Sequence, residues 1–488
     1  MSEAGDATAA RGIAKNTVVL VLARIIDRGT TLVLTLVLAA KLGPTGVGTY
    51  ALALAMYGVL TSAGDAGTIL FALRELAADK TRTASYIVHL SAIAGSFAVA
   101  LTALAEILIQ HVGYSSQTRT TLALILLAVL PKTLNGIQEA TFTVYGRTEL
   151  EATTTLVTSV IYVVTSVVLL AGGYGVEAIV ASYVVLEYLA TIVYYVLVTR
   201  SIARLRLQFR WSLARRLMAE LKPFAASSAV AALFGRPEII ILSLLSTTRQ
   251  VGYYSAAVRV CEIWLFVPEV FLDNAFPLLA RAHLQGSDRF GEIQARLMRY
   301  SLLYALPLTA GMLALADPIV QALFGHSFSR SAVELQVLAV NVTLFTLVEL
   351  YWRSVSARGH QGALLRVTLL TIVTRLSIGT AVIAALASLG AAISATFGAA
   401  VHAGLLRRLT QRTGGSPRLI QLGWRVTTAA ALMGGESWLL AHWLSIWIVI
   451  PIAAATYVAA LAALRALPPG ELQTLRLMLP TRMALDAK

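Results

Sequence analysis

Residues Thr17–Ala40 read TVVLVLARIIDRGTTLVLTLVLAA, an apolar run broken only by Arg24, Asp27, Arg28 and a few small polar residues. About 20 apolar residues in a helix cross the hydrocarbon core of a bilayer, so this run is long enough to span. It is too long for the apolar region of a signal peptide and lacks a small-residue cleavage site, so it reads as a first spanning helix. Similar runs follow at Thr49–Leu70, Ser85–Ile109, Thr120–Tyr145, Ala152–Leu170 and Val176–Val198. After a basic connector come Pro223–Leu245, Gly252–Leu279, Tyr300–Leu323, Ala332–Val355, Leu364–Leu386 and Gly390–Leu405, then a last pair at Gln421–His442 and Leu444–Leu464. The chain of 488 residues is 57% hydrophobic and 13% charged, with mean hydropathy +0.75. A soluble domain carries about 25% charged residues. The fold class expected is an all-α polytopic membrane protein with about fourteen transmembrane helices.

The net charge of +14 invites a nucleic-acid partner, but its placement excludes one. All but four of the loop lysines and arginines (the four are Lys41, Arg119, Arg249 and Arg330) fall on segments sharing a side with the N-terminus. This is the positive-inside pattern. It predicts a multi-pass protein of the cytoplasmic membrane with both termini cytoplasmic. Cys261 is the sole cysteine, which excludes an internal disulfide, and the seven histidines lack metal-ligand spacing. No metal site, no phosphate-binding loop of the G-x-x-x-x-G-K-[ST] type and no cofactor motif is present. No outer loop is long enough for a catalytic domain, so the chain reads as a non-enzyme with no catalytic residues.

An internal repeat divides the spans. Val47-Gly48-Thr49-Tyr50-Ala51-Leu52-Ala53 opens the second span, and Val251-Gly252-Tyr253-Tyr254-Ser255-Ala256-Ala257 opens the eighth. Tyr145-Gly146-Arg147 closes the fourth and Arg358-Gly359-His360 the tenth. Gly175-Val176-Glu177-Ala178-Ile179 opens the sixth, and Leu389-Gly390-Ala391-Ala392-Ile393 the twelfth. Spans one to six thus correspond to seven to twelve in the same orientation, a parallel repeat with an expected site between the halves. The expected divisions are an N-lobe at 1–199, a basic cytoplasmic connector at 200–222, a C-lobe at 223–408, and a helix pair with a cytoplasmic tail at 409–488. Trp211–Lys222 reads as an amphipathic helix on the inner face.

Ionisable residues inside spans are costly in lipid and face a cavity or a partner. Arg24, Asp27, Arg28, Thr31 and Thr35 share one stripe of the first span. Tyr57, Thr61, Asp65 and Thr68 do so on the second, and Lys132, Asn135, Glu139 and Thr143 on the fourth. The seventh carries Arg236-Pro237-Glu238, the eighth Arg259, Glu262, Glu269 and Asp273, and the eleventh Arg375. The stripes point to a central aqueous cavity. Arg24, Arg28, Arg236, Arg259, Arg375 and Lys132 are the expected substrate-binding residues, because the arginine fork suits phosphate. Asp27, Asp65, Glu238 and Glu262 are expected to pair with these cations or to bind a coupling Na+ or H+. Structural ion pairing is the competing reading, since Arg24–Asp27 and Arg259–Glu262 stand at i,i+3. Glu106, Glu187, Glu349 and Glu436 are single acids to which the pattern gives no role.

Several of these stretches resemble one family. Leu42-Gly43-Pro44-Thr45-Gly46-Val47-Gly48-Thr49-Tyr50, Arg74-Glu75-Leu76-Ala77, Gly252-Tyr253-Tyr254-Ser255-Ala256-Ala257, Phe276-Pro277-Leu278-Leu279-Ala280-Arg281, Leu323-Phe324-Gly325 and Leu389-Gly390-Ala391-Ala392-Ile393 stand in the order seen in polysaccharide exporters. These are the oligosaccharide flippases of the multidrug/oligosaccharidyl-lipid/polysaccharide superfamily, and the resemblance runs from about Asn16 to Arg408. It implies two six-helix lobes, alternating access, and export of a polyprenyl (pyro)phosphate saccharide. The partners it implies are the lipid-linked saccharide, membrane lipids and polysaccharide assembly enzymes. It also places Arg24, Arg28, Arg259 and Glu262 where related lipid II flippases carry cavity residues. Glu238 departs from the aspartate common at its position. The terminal pair resembles one that forms a lipid-tail groove in lipid II flippases. The alternatives are a drug/cation antiporter of the same superfamily, which calls for an acidic cavity, and a polytopic glycosyltransferase or polymerase.

Overall fold

The computed structural model describes residues 3–205, 208–415 and 419–466. Every regular element among the described residues is helical. In chain order they are α1 (Glu3–Gly64), α2 (Thr68–Ala78), α3 (Thr83–His111), α4 (Ser116–Leu126), α5 (Val129–Val144), α6 (Thr148–Ala171), α7 (Val176–Ser201) and α8 (Trp211–Phe234). Then come α9 (Pro237–Leu245), α10 (Thr248–Gln285), α11 (Ser287–Phe324), α12 (Ser331–Ala357), α13 (Gln361–Arg412), α14 (Leu419–Leu440) and α15 (Ile446–Ala463).

Nine of the described helices are long and apolar enough to cross a membrane, or ten if the bent pair α8 and α9 forms one span. About fourteen spans were expected, and the difference lies in breaks that do not interrupt helical hydrogen bonding. α1 contains Gly43 at φ 64, ψ −166, followed by Pro44, so two spans meet there. Glycine tolerates that left-handed conformation, and proline fits the first turn of the helix that resumes. α13 breaks the same way at Ala387, at φ 50, ψ −122. α10, which carries Arg259, Glu262, Glu269 and Asp273 along its length, stands outside the nine. With α1 and α13 counted twice, α4–α5 and α8–α9 each counted once, and α10 and α14 included, fourteen spans result. The chain is an all-α polytopic membrane protein. Its outward surface fits that: Val168, Ile192, Val373 and Val458 are each at least 60% exposed, a cost in water that lipid removes.

Cα packing groups the described residues into two compact units. The first holds the described residues through Arg259 together with Leu376–Ser394. One of its cores joins Phe71, Leu76, Tyr86, Ile87, Leu90, Ile137, Phe142, Tyr194 and Val198 with Leu217 and Leu221 of α8. The start of α8 therefore does not lie on the membrane surface by its apolar face, as Trp211–Lys222 suggested. That face, Ala214, Leu217 and Leu221, is buried against α2 and α3, while Arg215, Arg216 and Lys222 stay exposed. The preceding residues are tied down as well. His89 of α3 accepts the Arg210 amide N–H at 2.9 Å and stacks on Phe209.

The second unit holds Val260–Arg375 and the described residues from Ala395 onward. Its core includes Leu272, Leu279, Phe290, Met298, Leu302, Leu350, Tyr351, Val355, Leu364 and Leu406. Arg358 covers the Phe290 ring at 4.1 Å and donates to the carbonyls of Thr410 and Gly414, which closes the C-terminal end of α13. Burial pushes the Arg358 guanidinium below its ordinary pKa. α14 packs on α11 through small residues. A Cβ on Gly423 would meet Leu302 at 3.3 Å, and one on Gly434 would meet Ala310 at 3.2 Å. Helix pairs in lipid associate by such close approach.

Candidate functional site

The first unit contains a cavity of about 320 Å³. α5 presents Lys132, Asn135 and Glu139 to it at spacings of three and four, which keeps them on one face. α7 supplies Tyr183, Glu187 and Tyr194, α6 supplies Thr155, Thr158, Ser159 and Tyr162, and α1 supplies Thr30, Thr31 and Tyr50. Among the described lining residues one lysine faces two glutamates, for a net formal charge of −1. The rest of the polar lining is hydroxyl or amide.

The charges fall into two groups. Lys132 Nζ pairs with Glu139 Oε1 at 3.0 Å. Glu187 is held by neutral donors: Asn135 Nδ2 reaches Oε2 at 3.0 Å, and the Tyr57 hydroxyl donates to Oε1 at 3.3 Å. Tyr183 donates to the Tyr57 hydroxyl at 3.1 Å, and the Tyr50 and Tyr162 hydroxyls share a bond of 2.9 Å. The rings of Tyr57 and Tyr183 meet edge to face at 5.5 Å, and those of Tyr162 and Tyr183 at 5.1 Å. Asn135 is 1% exposed, and among the described residues its Oδ1 has no hydrogen-bond partner. A buried carbonyl oxygen beside a carboxylate leaves acceptor capacity for a donor or a small cation.

Of the substrate-binding and ion-coupling residues expected from sequence, Lys132 alone lines this cavity among the described residues, and its stripe-mates Asn135 and Glu139 line it with Thr31 of the first span. The side chains of Arg24, Asp27 and Arg28 lie outside the described residues. Asp65 is buried at the end of the second span, accepting from Ser228, from Thr68 and from the Ile69 amide. All three donors are neutral. Glu238 is 3% exposed in the first turn of α9, and Arg236 is half-buried at the break before it. Arg259 and Glu262 are half-buried on α10. Arg375 of α13 lies against Gly398, where an added Cβ would stand 2.6 Å from Arg375 Cδ.

Glu187, set aside as a single acid, is the carboxylate around which Asn135, Tyr57 and Tyr183 gather. Glu349, also set aside, pairs with Arg353, which reaches Asp273 at 2.7 Å. Asn135 and Tyr57 reach Glu187 from spans distant in sequence, and Asp273 reaches Arg353 in the same way, while Arg353 itself stands one turn from Glu349.

Comparison with known proteins gives the context. Residues 37–333 match the family described as polysaccharide biosynthesis protein, which is more than half of the chain. The chain belongs to that family. Over 224 residues it is 24% identical to the probable low-salt glycan biosynthesis flippase Agl15 of Haloferax volcanii, a match covering 46% of this chain and 47% of that protein. The chain thus spans about half the length of this curated relative. Among solved structures, the lipid II flippase MurJ in its inward closed conformation aligns with a TM-score of 0.76 at 13% identity, covering 90% of this chain and 97% of that one. An inward-facing multidrug resistance MATE family transporter of the MOP superfamily aligns at TM-score 0.66 and 13% identity, covering 81% and 97%. These likenesses show the fold, which is the one the sequence resemblance implied.

Proposed function

We propose that this protein is a flippase that moves a lipid-linked (polyprenyl pyrophosphate) oligosaccharide across the cytoplasmic membrane by alternating access. The observation that carries the reading is the family match over residues 37–333, set on a transporter fold. In this reading 1–199 and 223–408 are the two lobes, 200–222 is the connector, and both termini are cytoplasmic. The cationic side chains Arg24, Arg28, Arg236, Arg259 and Arg375 supply the forked donors a pyrophosphate requires. Outward movement of that anion is favoured by an inside-negative potential, by about 2.3 kcal/mol per charge per 100 mV. The cavity around Glu187, with the net negative charge of its described lining, is where a coupling Na+ or H+ is received. Polysaccharide assembly enzymes are the partners that would make and consume such a substrate. No catalytic step is assigned to the chain.

A drug/cation antiporter of the same fold is the second reading, favoured by the same net negative cavity and by the MATE likeness. Proteoliposomes decide between them. The flippase reading expects translocation of a fluorescent polyprenyl-pyrophosphate saccharide that falls in Arg24→Ala and Arg259→Ala with folding intact. Saturable uptake of an organic cation, with no lipid moved, would establish the antiporter. Sugar transfer by the purified protein would establish a transferase and sink both.

A further inference from the structure

Two of the repeated motifs touch. The second span resumes at Pro44 after the Gly43 break, and Gly48 follows four residues on. α10 starts at Thr248, and Gly252 follows four residues on. A Cβ on Gly48 would overlap the Thr248 carbonyl oxygen and stand 2.7 Å from the Gly252 amide nitrogen. A Cβ on Gly252 would overlap the Pro44 carbonyl oxygen and stand 2.7 Å from the Pro44 carbonyl carbon. Each glycine therefore lies against the carbonyl four residues before the other, and the contact is its own two-fold image. The obstacles are backbone atoms, so no rotamer change relieves them. Val47, Tyr50, Val251 and Tyr254 are buried around the contact.

The same end of the bundle carries further ties within the first unit. The hydroxyls of Tyr114, in the turn before α4, and Ser243 of α9 share a bond of 2.7 Å. Ser388, next to the Ala387 break, donates to Gln250 at 2.7 Å. The residues 376–394 that group with the first unit are the hairpin of spans eleven and twelve at this end. In the orientation proposed above, it is the outer end.

We propose that Gly48 and Gly252 form a reciprocal clasp that is the outer gate of the transport path, shut in this structure. The inference rests on the alternating-access reading and on that orientation. Two glycine faces approach closely but interlock nothing, so they hold by close packing and weak Cα–H···O contacts. Such a contact excludes water when shut and separates without extracting a side chain. Each helix also begins at a break, Gly43-Pro44 on one side and Ser246-Thr247 on the other, where it is able to swing.

The test reads accessibility. Cys261 is replaced by Ala, and Ser255, one turn inward of Gly252 and 8% exposed, is changed to Cys as reporter. A membrane-impermeant maleimide is supplied from outside. The clasp predicts slow labelling in this parent and labelling about tenfold faster with Gly48→Ala or Gly252→Ala, since destabilising the closed state raises the open fraction. The double variant should gain little over either single, because either methyl separates the same pair. Gly58→Ala, where nothing lies within 4 Å, is the matched control and should not change the rate. Unchanged labelling in both alanine variants, full additivity, or labelling only from the inner side overturns the proposal. Should the alanine variants not fold, the parent decides. Slow labelling that proceeds to completion supports a gate, and none at all, while the 87%-exposed Trp443 changed to Cys reacts at once, refutes it. Failure of lipid transport by the unmodified protein would remove the flippase reading while leaving this labelling pattern to stand or fall alone.

Discussion

Asp65 separates two accounts of an intramembrane acid. Its stripe on the second span suggested a coupling or charge-pairing role. In the structure, Oδ1 accepts the Ile69 amide and the Thr68 hydroxyl, both at 2.9 Å, and Oδ2 accepts the Ser228 hydroxyl at 3.0 Å. The first two bonds start α2, and the third ties that start to α8. Neighbouring Gly67, at φ 78, packs so closely that a Cβ would lie 2.6 Å from the Ala225 nitrogen. The joint is tight and leaves little room for water to replace a lost partner. Losing a cap costs about 1 kcal/mol, and losing a hydrogen bond to a charged acceptor about 1.5–3 kcal/mol. Regained solvation of the removed charge offsets part of this, so Asp65→Ala should cost roughly 3 kcal/mol. Asp65→Asn keeps Oδ1 for the Thr68 and Ile69 donors and turns an amide toward the Ser228 oxygen, at about 1 kcal/mol. Ser228→Ala should cost about 1.5 kcal/mol and couple to Asp65→Ala by roughly 1–2 kcal/mol in a double-mutant cycle. The assay is unfolding free energy in mixed micelles, run beside proteoliposome transport on the same preparations. Transport abolished in Asp65→Asn at undiminished stability would show that the charge itself works in the cycle. An Asp65→Ala protein as stable as the unmodified one would refute the capping account.

Lys132→Met leaves Glu139 and Glu187 facing the cavity without their cation. Because both members of the pair are partly exposed, a loss of about 1–3 kcal/mol is expected, below that of a sealed pair, and Glu139→Gln added to it should restore part. Glu187→Gln removes the cavity's net negative charge, and uptake driven by an ion gradient should fall about tenfold with substrate binding retained, measured by transport with and without the gradient. Gly434→Ala should cost about 1 kcal/mol and Gly434→Leu about 3, because Ala310 stands 3.2 Å from the added Cβ; thermal unfolding checks both. At the turn before α3, the Thr81 hydroxyl and then its amide hold the Asp79 carboxylate below its ordinary pKa. A lowered pKa stabilises the fold above the ordinary value and loses that effect as pH falls through the lowered one, so protection of the Thr81 amide against hydrogen exchange, taken relative to its intrinsic rate at each pH, should fall below about pH 4.

The spans were legible because lipid imposes one rule on every helix: an apolar stretch of fixed length with cations at one side. Thr17–Ala40 and its successors satisfy that rule locally, residue by residue. The breaks at Gly43-Pro44 and Ala387 show two degrees of legibility. Gly-Pro announces a left-handed turn followed by a new helix. Ala387 does not, because an alanine at φ 50 is held there by its surroundings, including the close approach of Gly390, whose added Cβ would lie 2.8 Å from Ile383 Cα. The connector shows the opposite failure. The Trp211–Lys222 pattern gives an apolar face, but not what covers it, and α2 and α3 covered it before the membrane did.

Part of the candidate site is legible, since Lys132, Asn135 and Glu139 share one stripe of the fourth span, whereas Glu187 stands alone midway along the sixth. Arg24–Asp27 and Arg259–Glu262 stand out in the sequence because each acid has a cation three residues away. A pair of that kind satisfies itself on one helix face and needs nothing from the rest of the fold. A lone acid such as Glu187 has no cation within four residues, only the Tyr183 hydroxyl one turn before it, yet a charge within a span is costly enough that further partners must exist. These must then come from other spans at the same depth. Asn135 and Tyr57 are the polar residues at that depth on the fourth and second spans, and they are the ones in contact with it. Glu349 repeats the lesson in part. Arg353, one turn away, supplies a local cation, and Asp273, from a helix 80 residues earlier, completes the group. In a polytopic chain, the solitary charge carries more information about tertiary structure than the paired one, because its cost cannot be met where it stands.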